Sequence, residues 1–301
     1  MIPFTPIALE DRDWMQPIFD AAQLPSEEYS FTFCFIWRKS AYLKVAKLNG
    51  YLLVLADKPM DPTYLFPVGT GDLKPVIDAL IDDAQRRGVP LRFHTLLGNQ
   101  KEQLEALYPG QFMYKDLRDY ADYIYDTQSL STLAGKKLHG KRNHINRFME
   151  NHSDWTYEPI TPANIEECRE MSTAWCEESD CDGDDDLKKE SCAVKQALDH
   201  FDELRFKGGA LRAGGEIIAF TIGDALTDDI FMVHIEKAFG DIQGAYPMIN
   251  QQFVLAECQN YRYVNRQDDM GTEGLRRAKL SYQPVRILDK FGAAYVGPQN
   301  A

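Results

Sequence analysis

The run Ile230–Glu236 reads as a β-strand that ends on His234 and Glu236. Alternate residues of a strand share a face, so His234 and Glu236 point one way and Val233 and Ile235 the other. A carboxylate at a strand end can deprotonate an amine, which makes Glu236 a candidate base; the plainer alternative is a solvated side chain. The next segment, AFGDIQGAY, leads into a helix that starts near Pro247. A helix N-terminus offers unpaired N–H groups and partial positive charge, and glycine lets the backbone come close to a phosphate. Gly240, Gln243, Gly244 and Ala245 are the candidates for that contact, with a tight turn before a core helix as the alternative. A rival loop, PVGTGD at Pro67–Asp72, also precedes a helix. There Asp72 stands where a phosphate would have to go and reads better as a helix cap.

Two basic segments could meet an anion. From Thr127 to Met149 there are five Lys/Arg and two His with no acid. At helical spacing Leu138, Ile145, Phe148 and Met149 make an apolar stripe, flanked by Lys137, Lys141 and His144 and opposed by Lys136, Asn143 and Arg147. Lys136, Lys137, Lys141, Arg142 and Arg147 could present cations to a phosphate-rich partner, or form a solvated face. In DDMGTEGLRRAKLSYQP, Arg276 and Lys279 lie on adjacent turns and could hold an anionic substrate. Alternatively Glu273 pairs with Arg276 or Arg277 at i,i+3 or i,i+4 spacing.

The rest of the chain must position these groups. Its 301 residues favour two domains, and 44% hydrophobic content permits a sizeable core. The net charge of −13 argues against general nucleic-acid binding. The charge is uneven: residues 177–186, EESDCDGDDD, carry seven acids and read as a solvated loop. That loop lacks the glycine and glutamate spacing of a calcium loop, and no metal site is expected. The N-terminus has no basic segment followed by an apolar run, and no stretch is long enough to span a bilayer. A cytoplasmic protein with reduced thiols is expected, since none of the six cysteines forms a C-x-x-C pair.

Periodicity gives helices near 9–22, 72–87 and 101–107, and strands near 42–48, 51–56, 64–67, 90–95, 112–117 and 120–126. Asn49-Gly50 marks a hairpin. From Trp155 the order is β-α-α-β-β-β-α-β-α-β, which matches the acetyltransferase fold. A hairpin at Gly214-Gly215 means that the sheet cannot be purely parallel. The N-terminal half repeats a shortened form of the same order. The expected fold is therefore α/β of the α+β type with mixed sheets: two acetyltransferase-superfamily-like domains in tandem. Residues 1–125 would form the first, degenerate in function, and 126–301 the second, holding the donor site. In such folds a general acid often stands where Tyr282 falls. The usual phosphate loop reads Gln/Arg-x-x-Gly-x-Gly/Ala; Gln243-Gly244-Ala245 lacks its clean form.

The segments YIYDTQSLSTLAGKKLHGKRNHINRF and DDMGTEGLRRAKLSYQPVRIL resemble the signatures of a bacterial family of unknown function. That family is related to the C-terminal catalytic domain of phosphatidylglycerol lysyltransferases. The resemblance spans most of the chain. It implies kinship with enzymes that move an aminoacyl group from a charged tRNA to a lipid or peptidoglycan amine or hydroxyl. The matching positions are Lys136, Lys137, Lys141, Arg142, Arg147, Arg276 and Lys279. The expected function is transfer of an acyl or aminoacyl group, from acyl-coenzyme A or aminoacyl-tRNA, to a small amine, peptide or lipid-headgroup acceptor. No further cofactor is required. The alternative is a non-catalytic binding module that keeps the fold and has lost the chemistry.

Overall fold

The computed structural model describes residues 1–179 and 181–298. The chain divides into two compact units, 1–121 with 288–301 and 122–287. In chain order the first unit begins with β1 (Thr5–Pro6), α1 (Arg12–Ala22), α2 (Phe31–Trp37), β2 (Leu43–Leu48), β3 (Tyr51–Ala56), β4 (Thr63–Tyr64) and β5 (Val68–Gly69). It continues through α3 (Lys74–Arg86), β6 (Arg92–Leu96), α4 (Gly98–Leu107) and β7 (Phe112–Asp116). The second unit comprises β8 (Asp122–Asp126), α5 (Thr127–Thr132), α6 (His139–Asn151), β9 (Thr156–Pro159), α7 (Ile165–Glu178) and α8 (Asp185–Asp199). Then come β10 (Lys207–Ala213), β11 (Glu216–Ala225), β12 (Ile230–Ala238), α9 (Ala245–Glu257), β13 (Tyr263–Asn265), α10 (Glu273–Leu280) and β14 (Arg286–Leu288). The last strand, β15 (Phe291–Tyr295), belongs to the first unit.

In the first unit the hairpin at Asn49-Gly50 forms as expected, with Leu48 opposite Tyr51 and both turn residues at positive φ. The strand order is β1-β2-β3-β4-β6-β15-β7, with β5 also beside β3. β4 and β6 run parallel, meeting at Tyr64 and Phe93, so a crossover must join them, and α3 supplies it. Val76, Ile77, Leu80 and Ala84 recur at helical spacing on α3 and are buried. They share a core with Phe66, Phe93 and Phe112. The aromatic run at Tyr29–Trp37 is core too: Phe31, Phe35 and Ile36 of α2 are each 1% exposed or less.

The second unit repeats the plan. Its order is β14-β8-β13-β12-β11-β10-β9, with β12 and β13 parallel and α9 as the crossover. Ile249, Phe253 and Val254 of α9 and Phe148 of α6 pack in one buried cluster with Phe231 and Val264. Mixed sheets in a repeated order are the fold class that the sequence implied.

The boundary at 125/126 differs from the structure. It put β8 in the first domain and β15 in the second, and strand pairing reverses both. β8 follows β7 in the chain but pairs with β13. β15 follows β14 but lies between β6 and β7. Each sheet is thus completed by the strand that follows the other unit's last strand in sequence. A pattern such as DYIYD announces a buried strand and says nothing about which sheet receives it.

Two local expectations change. The acidic run is partly helix, because Asp184 accepts the Asp186 and Leu187 amides and caps α8, which begins at Asp185. Asp180, where the calcium-loop comparison began, lies outside the described residues. Cys176 and Cys181 are joined as a disulfide, which corrects the expectation of reduced thiols at this pair. No helix among the described residues is long and apolar enough to cross a membrane.

Candidate functional site

The site begins with a fault in a strand. β11 and β12 pair antiparallel, but the partner of Ile222 is Ile235 while that of Gly223 is Val233. His234 is the extra residue of a β-bulge, which bends β12. β12 stays beside β13 only over Ile230–Met232. Beyond that point the two strands fork, and a cavity of about 590 Å³ lies there. The bulge also ends the strict alternation expected along β12: Val233 lines the cavity together with His234 and Glu236.

Glu236 sits in the fork with both oxygens engaged. Oε1 accepts from Arg266 Nη2 at 2.6 Å, and Oε2 accepts from Asn250 Nδ2 at 2.9 Å. Its side chain is 12% exposed and that of Arg266 10%. A buried guanidinium needs such a counter-ion. The candidate base is therefore placed to hold Arg266.

Tyr282 is 5% exposed and lies between two cations. The Arg266 guanidinium carbon is 4.7 Å from the ring centre and Lys141 Nζ is 3.9 Å from it. Both distances suit attraction to the ring face. Burial pushes the Tyr282 hydroxyl above its ordinary range, so it stays protonated and able to donate. Burial, with the Arg266 charge adding to it, pulls Lys141 down to about 8 against the opposing pull of Glu236. Among the described residues Lys141 makes no ion pair. A lysine poised near neutrality can both take and return a proton.

The other expected cations divide. Lys136, Lys137 and Arg147 are exposed and do not line the cavity. Arg142 donates to the carbonyls of Leu133 and Gly135, closing the C-terminal end of α5. Arg276 forms a two-point pair with Asp269, Nε to Oδ2 at 2.8 Å and Nη2 to Oδ1 at 2.7 Å. Lys279 lines the cavity, but its ammonium donates to the carbonyls of Arg266 and Asp268. These three cations hold backbone or a buried carboxylate.

The glycine loop is also committed. Gly244 has φ +90°, and a Cβ there would lie 2.3 Å from the His144 carbonyl oxygen and 2.9 Å from Phe148 Cβ. The glycine is required because α6 crosses against it. The buried Ala245 donates its amide to Ile242 at 3.1 Å. Gly240 and Gln243 remain exposed. In the rival loop, Asp72 accepts the Lys74 amide at 3.1 Å, as a cap does.

Sequence reasoning missed Arg266, Gln267 and Lys237. Lys237 is buried, 2.8 Å from Glu190 and 3.5 Å above the Trp175 ring. Burial lowers its pKa, with Glu190 opposing. Arg266 and Gln267 follow a three-residue strand, and only its parallel register beside β12 shows that they enter the fork.

Repeated order, crossover helix and forked strands define two acetyltransferase-like domains in one chain. Residues 21–294 match the family described as "Phosphatidylglycerol lysyltransferase, C-terminal", and the chain belongs to that family. A conserved protein of unknown function from Bacteroides thetaiotaomicron is 40% identical, with a TM-score of 0.93 over 98% of this chain and 100% of that one. The C-terminal domain of a putative lysylphosphatidylglycerol synthetase from Agrobacterium fabrum shares the fold at 13% identity, with a TM-score of 0.67 over 96% and 92% of the two chains. An uncharacterized protein of Mycoplasmoides gallisepticum is 24% identical over 65% of this chain, and the match spans 62% of that relative's length. Family and fold thus relate the chain to lysylphosphatidylglycerol synthetase C-terminal domains and point to group transfer.

Proposed function

We propose that the second unit transfers an aminoacyl group from a charged tRNA to an amine or hydroxyl acceptor in the cavity between β12 and β13. The observation that carries this reading is the convergence of Lys141 and Arg266 on Tyr282, at 3.9 and 4.7 Å from its ring centre. The acceptor nitrogen or oxygen attacks the carbonyl carbon of the donor ester. A bond forms from that atom to carbon, and the ester C–O bond breaks. Neutral Lys141 takes the acceptor's proton, and its ammonium returns a proton to the leaving ribose oxygen. The protonated Tyr282 donates to the carbonyl oxygen as negative charge builds on it.

Acyl-coenzyme A is the less favoured donor, because the loop at Gln243-Gly244-Ala245 lacks the clean form of the usual phosphate loop and Gly244 packs against α6. The exposed Lys136, Lys137 and Arg147 give a tRNA backbone a surface to meet. A cytoplasmic site of action accords with such a donor. The test is filter binding and turnover with charged tRNA and with acetyl-coenzyme A at low and high salt. Salt-sensitive tRNA binding, with product formed only by protein that keeps Lys141, supports the reading. Turnover with acetyl-coenzyme A alone would replace the donor, and no turnover with either would leave a binding module.

A further inference from the structure

A second cavity, of about 290 Å³, lies between α6 and α9. His139, Arg142, Asn143, Asn146 and Met149 of α6 line it. At helical spacing these five share roughly a third of the helix circumference, and Lys141, which lines the fork, falls outside that arc. One helix thus serves two separate hollows. The floor of the second is apolar: Ile145 is 5% exposed and Met248 is fully buried.

Three features restrict what fits there. The first is charge. No acid lines the groove, and none occurs in Thr127–Met149 or in Ala245–Ala256, in a protein of net charge −13. A cationic ligand would find no counter-ion. The second is a pair of open amides. Asn146 is exposed and Gln252 half-buried, and neither side chain makes a hydrogen bond among the described residues. Each amide offers a donor and an acceptor side by side, which is the pattern that the edge of a nucleobase presents. The third is a fixed plane. Arg142 Nη1 donates to the carbonyls of Leu133 and Gly135, so its guanidinium is held at the groove. Guanidinium planes stack on bases, and the exposed Met149 adds a sulfur that packs well on aromatic rings.

We propose that the groove between α6 and α9 binds one unstacked nucleobase, with Arg142 and Met149 against its face and Asn146 and Gln252 on its edge. A base can come from an RNA strand or from a free nucleotide. The exposed Lys136, Lys137 and Arg147 favour a strand, since they can meet its phosphates. The inference rests on the transfer reading only for which strand this is: a charged tRNA held by a base on one side of α6 would present its ester to Lys141 on the other.

The test is a fluorescence-anisotropy titration of the intact protein with a labelled single-stranded oligoribonucleotide and with an abasic strand of the same length and charge. Adenosine monophosphate serves as competitor. The strand with bases should bind about tenfold more tightly, the scale of one stacked base. Asn146→Ala with Gln252→Ala should remove most of that preference and leave the abasic strand bound as before. Both residues are free of hydrogen bonds within the protein, so the fold should survive the change. Lys136→Ala with Lys137→Ala should weaken both strands by the same factor, because phosphate contacts carry no base information. Competition by adenosine monophosphate as effective as that by unlabelled strand identifies a free nucleotide as the source of the base; competition by strands alone identifies RNA. Equal binding of the two strands, no binding of any probe, or a base preference kept by the folded double variant at Asn146 and Gln252 overturns the proposal. The two ideas fail separately. Base-selective binding without turnover of charged tRNA removes the transfer reading alone, whereas turnover of charged tRNA by protein that binds both strands equally removes the base site alone.

Discussion

Both units fork where a parallel pair meets, and they fill the fork differently. In the first unit the parallel partners are Tyr64 and Phe93. Phe66 meets Phe93 edge to face at 5.6 Å, and Phe112 lies 6.2 Å beyond. The Tyr64 hydroxyl donates to Asp83 at 2.8 Å, and Asp83 is held by Arg87 at 2.7 Å and by the Ile2 amide at 2.8 Å. In the second unit the fork holds the Glu236–Arg266 pair, a protonated phenol and a depressed lysine. The same topology is packed shut in one unit and left open and polar in the other. Strand order sets where a fork falls; side chains decide whether it becomes core or cavity.

The largest effect that would break this comparison is on transfer. Lys141→Met should lower the rate about 100-fold or more, the scale of a lost proton-transfer group. The rate of the unaltered protein should rise with pH through about 8, as Lys141 becomes neutral, and the variant should lose that limb. Stability follows pH in the same direction, and the substitution moves it opposite to activity. The folded state holds this lysine's proton less tightly than the unfolded chain, so native stability rises with pH from about 8 toward the ordinary lysine value near 10.4. Near neutral pH, Lys141→Met should therefore raise the melting temperature while it removes activity. A rate that is flat with pH, or unchanged in the variant, would sink the role given to Lys141.

Next comes a change in the closed fork. Phe93→Ala should cost about 3–5 kcal/mol in denaturant unfolding, since it empties an aromatic core. A folded variant should keep its transfer rate. A lost rate with intact stability would instead mean that the first unit takes part in the chemistry.

Arg276→Ala should cost about 2–4 kcal/mol, because it strands the buried Asp269 carboxylate. The value lies below that of a wholly buried pair because Arg276 is 29% exposed. Burial alone would raise the Asp269 pKa. Arg276, the Tyr123 hydroxyl and the Gly271 amide together hold it at about 2. That lies below the unfolded value near 3.9, so the contribution is complete above about pH 4 and fades as pH falls toward 2. Acid titrations of the protein and the variant should converge in that window. If Arg276 served substrate instead, activity would fall with little change in stability.

The smallest effect is expected at Cys176–Cys181, beside the Trp175 that lines the cavity. Replacing both by serine removes a short loop closure worth at most about 2 kcal/mol. Cavity ligands should bind the variant nearly as well as before.

Much was legible in the residues alone. Periodicity located most helices and strands though not α2, Asn49-Gly50 fixed a hairpin, and the repeated element order gave two mixed sheets. Glu236 was singled out by its place at a strand end, Lys141 by the basic run, and Tyr282 by the place a general acid often takes in such folds. The sequence determined these because the 3.6 and 2.0 repeats of burial and the capping and turn preferences are local properties. The tertiary structure alone decided that β8 joins the sheet of the second unit and β15 that of the first, since strand pairing is a contact between distant residues. It alone decided that α6 lies across Gly244, so that a glycine read as a phosphate contact is a packing requirement. It alone brought Arg266 to Glu236, 30 positions apart in the chain, because the bulge at His234 and the parting of β12 from β13 are set by register. What each cation does depends on which partner the fold puts within about 3 Å of it, and no local pattern encodes that distance.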